Sequence, residues 1–90
     1  MPKFVIEREL PGAGMLSADE LHAISQRSND VLATMAPRVQ WQQTYVTDDK
    51  LYCVYIADDA ETVLEHARGG GFPANSVARV ATVIDPSNGD

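Results

Sequence analysis

The fold class of this chain is decided by residues 38–57, RVQWQQTYVTDDKLYCVYIA. Side chains alternate with period two over residues 38–47, and residues 50–57 are dense in β-branched and aromatic types, so each run is predicted to form a strand. Asp48 and Asp49 lie between the two runs and favour a hairpin turn. With these aspartates as the loop, Thr47 would face Lys50, and the pairing would continue with Tyr45 opposite Tyr52, Gln43 opposite Val54 and Trp41 opposite Ile56.

One strand and one helix are predicted before this hairpin. Residues 3–10 alternate in polarity and stop at a Pro-Gly loop, which is typical of a strand. Ser17 and Glu20 have the spacing of a capping box, and Pro37 interrupts the helical pattern, so a helix is predicted from Ala18 to Ala36. The strand would carry Phe4, Ile6, Arg8 and Leu10 on one face and Val5, Glu7 and Glu9 on the other.

A second helix and a last strand are predicted after the hairpin. Asp58 or Asp59 would cap the helix, and the three glycines at 69–71 would end it. Residues 72–75 are predicted to be a loop, residues 77–84 a strand, and residues 85–90 a frayed tail.

The resulting order, β-α-β-β-α-β, predicts a single α+β domain over residues 1–90, a ferredoxin-like sandwich. Right-handed crossovers would place both helices on one face of a four-stranded antiparallel sheet. The other face would be too apolar to meet water, so a second copy of the chain is expected to cover it. We therefore expect a homodimer.

Composition and charge limit the classes of partner. Hydrophobic residues make up 44% of the 90 residues, which excludes a disordered chain. The net charge of −6 disfavours nucleic acid and anionic membranes, and makes metal cations and neutral small molecules the expected partners. The single cysteine, Cys53, and the lack of a signal-peptide pattern predict a cytoplasmic protein.

Two histidines are candidate metal ligands. Asp19 and His22 would share one face of the first helix, where a carboxylate and an imidazole could hold nickel or zinc. The alternative is a plain solvated helix face. His66, near the end of the second helix, could bind a metal together with Glu65 or Glu61, or reach into a pocket. The alternative to both roles is that His66 is a surface histidine, placed where the negative end of the helix dipole favours it.

A pocket with acid–base chemistry is a separate possibility. Glu7 is predicted on a central strand, where Gln42, Tyr55 and Arg79 are candidate neighbours. If the pocket also included His66, then Glu7 or His66 could be a general base, and Tyr55 is a further candidate catalytic residue. The alternative is that Glu7 is exposed or paired with Arg79.

Cys53 and the glycines at 69–71 are expected to be structural, whereas a set of aromatic residues has two possible roles. Cys53 is predicted to be a small buried hydrophobe rather than a metal or redox group. The glycines at 69–71 end a helix instead of beginning one, so they do not form a phosphate loop. An aromatic set could pack a core and dimer interface, or line a ligand cavity; it comprises Trp41, Tyr45, Tyr52, Tyr55 and Phe72.

Three segments resemble a family of small bacterial proteins catalogued as a domain of unknown function, in which some members are labelled nickel-binding proteins. They are KFVIER at 3–8, WQQTYVTDDKLYCVY at 41–55, and EHAR at 65–68 followed by GFP at 71–73. The resemblance implies a ferredoxin-like subunit that pairs into a dimeric α+β barrel, with nickel at sites on the dimer surface. A nickel site here would have to use His22 or His66 with carboxylates and water.

Two classes of function follow from these expectations. The first is binding or sequestration of a divalent metal, nickel, by a small cytoplasmic homodimer. The second is a cofactor-independent enzyme or small-ligand binder that uses Glu7, Gln42, Tyr55 and His66 in a pocket of a dimeric α+β barrel. Neither class implies an organic cofactor.

Overall fold

The computed structural model of the chain describes residues 1–71 and 74–90. Its element order confirms the predicted succession of strands and helices. Phe72 and Pro73, assigned above to a loop, lie outside the described residues. The elements are β1 (Lys3–Glu9), α1 (Ala18–Met35), β2 (Val39–Val46), β3 (Lys50–Ala57), α2 (Ala60–Gly70) and β4 (Ser76–Arg79), with short 3-10 helices at Ala13–Met15 and Pro86–Gly89.

Both helices begin at the predicted caps. The Ser17 side chain accepts a hydrogen bond from the Glu20 backbone N–H at 3.1 Å, and the Glu20 carboxylate accepts one from the Ser17 N–H at 3.1 Å. These reciprocal bonds satisfy two N–H groups that would otherwise lack a partner at the start of α1. Asp59 caps α2 by accepting from the Thr62 N–H at 2.8 Å. Gly71, at φ 69°, ends α2 in the left-handed region that glycine tolerates.

The four strands form an antiparallel sheet in the order β2-β3-β1-β4. The helices cover one side, here called the helix face, whose buried side chains include Phe4, Ile6, Cys53 and Tyr55. Val63 of α2 is fully buried in the same core. The other side, here called the open face, carries Val5, Glu7, Tyr45, Tyr52, Val54 and Ile56.

The predicted hairpin register is correct near the turn and wrong further along. Tyr45 pairs with Tyr52 and Gln43 with Val54, as expected, but Trp41 pairs with Tyr55 instead of Ile56. The register shifts between Trp41 and Gln43, which leaves an extra residue in β2 as in a β-bulge. Because side chains alternate with period two, the extra residue moves Trp41 from the open face to the helix face.

The last strand is shorter than predicted. β4 ends at Arg79, whereas the alternating pattern extends to Ile84. β4 pairs only with β1, which begins at Lys3, and the last hydrogen bond of this ladder runs from the Val80 N–H to the Lys3 carbonyl at 2.8 Å. The partner strand has no residues left to pair with positions 81–84, and these positions are exposed. The 3-10 helix that follows is exposed as well. In the described parts of the chain, no helix has the length and apolar character needed to cross a membrane.

Candidate functional site

Glu7 lies on the open face, away from the other residues of the expected catalytic pocket. Its carboxylate accepts a hydrogen bond from the Lys50 ammonium at 2.6 Å, so its partner is Lys50 and not Arg79. Gln42 is exposed at the bulge. Within one chain, the structure does not bring Glu7 and Gln42 together with Tyr55 and His66, because β1 directs Glu7 to the opposite side of the sheet.

Tyr55 and His66 do come together, in the core. Their ring centroids are 5.2 Å apart, and the His66 Nε2 lies 3.3 Å from the Ser28 Oγ on α1. His66 has no exposed surface, so the expectation of a surface histidine is wrong. Burial, and secondarily the charge of Arg8, lowers the pKa of His66 to about 4, so the ring is neutral at physiological pH.

The two predicted metal groups have different outcomes. Glu65, next to His66 in sequence, is at the surface and forms an ion pair with Arg38 at 3.0 Å, so the structure does not bring Glu65 and the buried imidazole together. Asp19 and His22 are both exposed in the first turns of α1. Within residues 1–71 and 74–90, no cluster of three or more His, Cys, Asp or Glu side chains could hold a metal ion.

A pocket of about 200 Å³ lies between the first half of α1 and the helix face, and its lining includes Trp41 and Tyr55 of the aromatic set named above. Arg8 of β1 lines this pocket although only 2% of the residue is exposed. The Arg8 Nε donates to the Cys53 Sγ at 3.4 Å, and the Arg8 Nη2 donates to the Tyr55 hydroxyl at 3.3 Å. Ser28 also lines the pocket. We call this cavity the Arg8 pocket.

The described hydrogen-bond partners of Arg8 are electrically neutral groups. Burial raises the pKa of the Tyr55 phenol, with the neighbouring Cys53 as a smaller cause, so Tyr55 stays protonated at neutral pH. The guanidinium remains charged in any protein environment. Arg8 therefore brings a positive charge to the pocket, where Cys53 and Tyr55 are two of its neutral partners.

Mostly apolar side chains form the rest of the Arg8 pocket. Trp41 lies at the β2 side because of the bulge, and its Nε1 donates to the Thr44 Oγ1 at 3.0 Å, which fixes the indole. Val46, which is 41% exposed, also lines the pocket. The remaining apolar wall consists of Leu21, Ile24 and Leu51.

One signal in the sequence could have indicated this pocket. Arg8 occupies an apolar-face position in the alternation of β1, between buried Ile6 and half-buried Leu10. A charged residue at such a position is rarely buried without a specific reason. Cys53, predicted to be a buried hydrophobe, is buried, and it also accepts a hydrogen bond from Arg8.

Comparison with known proteins identifies a family and solved structures that resemble this chain. Residues 4–80 match the family described as nickel responsive protein, SCO4226-like. The crystal structure of SCO4226 from Streptomyces coelicolor A3(2) superposes with a TM-score of 0.76 and 20% sequence identity, covering 91% of this chain and 99% of that one. No curated protein shows significant similarity. The α+β fold is thus shared with SCO4226.

Proposed function

Because the chain belongs to the nickel responsive, SCO4226-like family, we propose that it binds nickel through Asp19 and His22 at the start of α1. The family description supports the metal, and the exposure of these two side chains supports the place. Imidazole is a good ligand for nickel, and a neighbouring carboxylate adds charge and a second donor atom. Residues three apart on a helix share one face, so one ion can reach both.

Exposure distinguishes this pair from the other histidine. A metal at His66 would have to enter the core and compete with the Ser28 contact, next to the positive charge of Arg8. A metal at His22 meets neither obstacle, because this side chain is already in solvent. The net charge of −6 also raises the local concentration of cations around the molecule.

Two protein ligands leave most of the coordination sphere open. Water can supply the missing donors, and so can a second copy of the chain. We propose a homodimer whose subunits meet through the open face, as the half-buried Val5, Val54 and Ile56 on that face suggest. In this arrangement nickel would be sequestered at the surface of a cytoplasmic dimer.

Isothermal titration calorimetry with nickel chloride on untagged, EDTA-treated protein tests the proposal. His22→Ala and Asp19→Asn are expected to weaken nickel affinity by about tenfold or more, since each removes a ligand. Glu65→Gln is the matched control and should leave the affinity unchanged, because Glu65 is engaged by Arg38. Magnesium chloride measures nonspecific attraction to the acidic surface.

The possible results separate two conclusions. Nickel affinity that is unchanged in His22→Ala would contradict the assignment of the site. If the wild-type protein bound nickel no better than magnesium, the proposed function itself would be wrong.

A further inference from the structure

We propose that the Arg8 pocket binds an uncharged molecule with a single aromatic ring, which is held by the apolar walls of the pocket. The pocket lies between α1 and the helix face. The proposed nickel ligands are exposed at the start of α1, and the proposed dimer interface is the open face on the other side of the sheet. The proposals therefore concern separate sites and can fail independently of each other.

The volume of the pocket limits the size of the ligand. An engineered apolar cavity of about 150 Å³ binds benzene. The Arg8 pocket, at about 200 Å³, has space for such a ring with a small substituent. Pockets that hold drug-sized ligands are larger, at about 300 to 1,000 Å³. The pocket is partly open to solvent, so a molecule with one ring can enter from outside.

Apolar side chains from three elements supply the attraction. Leu21 and Ile24 line the pocket from α1, Leu51 lines it from β3, and Trp41 and Val46 line it from β2. Leu21, Ile24 and Trp41 are only half-buried in the chain. A ligand between them would remove their remaining apolar surface from water, and its own as well, which favours binding.

Trp41 favours an aromatic ring over an aliphatic one. Its Nε1 donates to the Thr44 Oγ1 at 3.0 Å, and this bond fixes the indole before a ligand arrives. Aromatic rings in offset or edge-to-face contact attract each other by more than the burial of their surface provides. Because the indole is already ordered, binding does not cost the side-chain entropy that is lost when a mobile residue becomes ordered.

The polar groups of the pocket are engaged within the protein, which favours an uncharged ligand. Arg8 donates to Cys53 and Tyr55 and makes a further interaction as well. The Ser25 hydroxyl donates to the Leu21 carbonyl at 2.9 Å. A neutral ring can bind while all of these contacts stay in place. A carboxylate or an ammonium group would lose its hydration among the apolar walls, which is costly.

The experiment compares benzyl alcohol with two relatives of similar size. Benzoate carries a carboxylate in place of the alcohol group, and cyclohexylmethanol carries an aliphatic ring in place of the aromatic one. Calorimetry on the untagged wild-type protein should show that benzyl alcohol binds at one site per chain. Benzoate should bind about tenfold or more weakly because of its charge, and cyclohexylmethanol about two- to tenfold more weakly because of its ring.

A signal from Trp41 locates the binding site in the wild-type protein. Trp41 is the single tryptophan of the chain and lines the pocket, so nuclear magnetic resonance shows one indole N–H signal from the pocket wall. This signal should shift with benzyl alcohol concentration and saturate at the affinity that calorimetry gives. An unchanged indole signal in the presence of bound benzyl alcohol would overturn the proposed place.

Ser25→Leu tests the site by filling it. Ser25 lines the pocket, and leucine is a good helix former, so α1 should persist while the space for the ring is lost. Thr34→Leu is the matched control, because Thr34 is exposed on α1 and its hydroxyl likewise donates to the backbone of its own helix, at the Val31 carbonyl. Ser25→Leu should weaken benzyl alcohol binding about tenfold or more, and Thr34→Leu should leave it unchanged.

The outcomes distinguish the class of ligand from the place of binding. Circular dichroism checks the fold of both variants, and the Trp41 signal of the wild type decides the place if Ser25→Leu does not fold. Benzoate or cyclohexylmethanol that bound as tightly as benzyl alcohol would overturn the proposed class of ligand. No saturable binding of benzyl alcohol, or an unchanged affinity in folded Ser25→Leu, would overturn the proposal as a whole.

Discussion

The Nε2 of His66 lies 3.3 Å from the Oγ of Ser28, and this contact joins α2 to α1 inside the core. His66 stands there without exposed surface, with the Tyr55 ring 5.2 Å away. A charged imidazolium at this place would lose its hydration and face the positive Arg8. The fold is therefore compatible with the neutral ring and penalises the protonated one.

This penalty predicts a loss of stability in mild acid. The pKa of His66 is about 4 in the folded protein and about 6.5 in the unfolded chain. The contribution of the neutral His66 ring to the free energy of unfolding is fully present above pH 6.5. It is lost as the pH falls toward 4, because the unfolded state then binds a proton that the folded state does not. Burial raises the pKa of the Tyr55 phenol, which lies beside the ring, so Tyr55 stays protonated over this range.

Urea unfolding of the wild type and of His66→Gln between pH 7.5 and pH 4 measures the effect. Because carboxylates titrate in both proteins, the difference between the two isolates His66. We expect the wild type to lose on the order of 2 kcal/mol more than the variant over this range. Parallel pH profiles would contradict a neutral, buried imidazole.

The capping box at the start of α1 makes a second prediction. Ser17→Ala removes the hydroxyl that accepts from the Glu20 N–H and should lower the free energy of unfolding by about 1 kcal/mol. Ser17→Thr keeps an acceptor oxygen and should restore most of this loss. Both values come from urea unfolding at pH 7, and an equal loss in the two variants would argue against the cap.

The open face predicts the oligomeric state. Sedimentation equilibrium of the wild type should give twice the chain mass of 9.8 kDa. Val54→Lys places a charge in the middle of the open face and should yield a monomer that keeps its helical circular dichroism. Ala33→Lys, on an exposed position of α1, is the matched control and should remain a dimer. A monomeric wild type would refute the proposed interface.

The sequence was sufficient for the element order and most element boundaries, because those depend on local signals. The Ser17–Glu20 capping box and the Asp48–Asp49 turn are short-range patterns, and the structure contains both a cap and a hairpin at these places. The length of β4 could not be obtained in this way. It depends on where β1 begins, more than 70 positions earlier in the chain.

The position of the Arg8 pocket was missed for two physical reasons. An arginine on an apolar strand face is normally expected to reach solvent, since burial of a charge is costly, so its burial is visible only once Cys53 and Tyr55 are in place. In addition, the alternation of β2 gives no sign of an extra residue. Without the bulge, Trp41 would lie on the open face opposite Ile56, and the pocket would lack one wall.

The bulge itself leads to the last prediction. Trp41 already pairs with Tyr55 and Gln43 with Val54, so deletion of Gln42 would turn β2 into a regular strand and keep both pairs. Trp41 and Thr44 would stay on the helix face. The free energy of unfolding should fall by no more than about 1 kcal/mol, because an exposed side chain is lost and the core is retained.

Deletion of Gln40 is the matched control, since it removes the same residue type from the same strand. This deletion shifts Val39, which is only 3% exposed, from the core to the open face. Loss of that burial should cost about 2 kcal/mol or more. Urea unfolding compares the two deletions, and the emission maximum of Trp41 reports its surroundings. Equal destabilisation by both would mean that Gln42 is not the extra residue of the ladder.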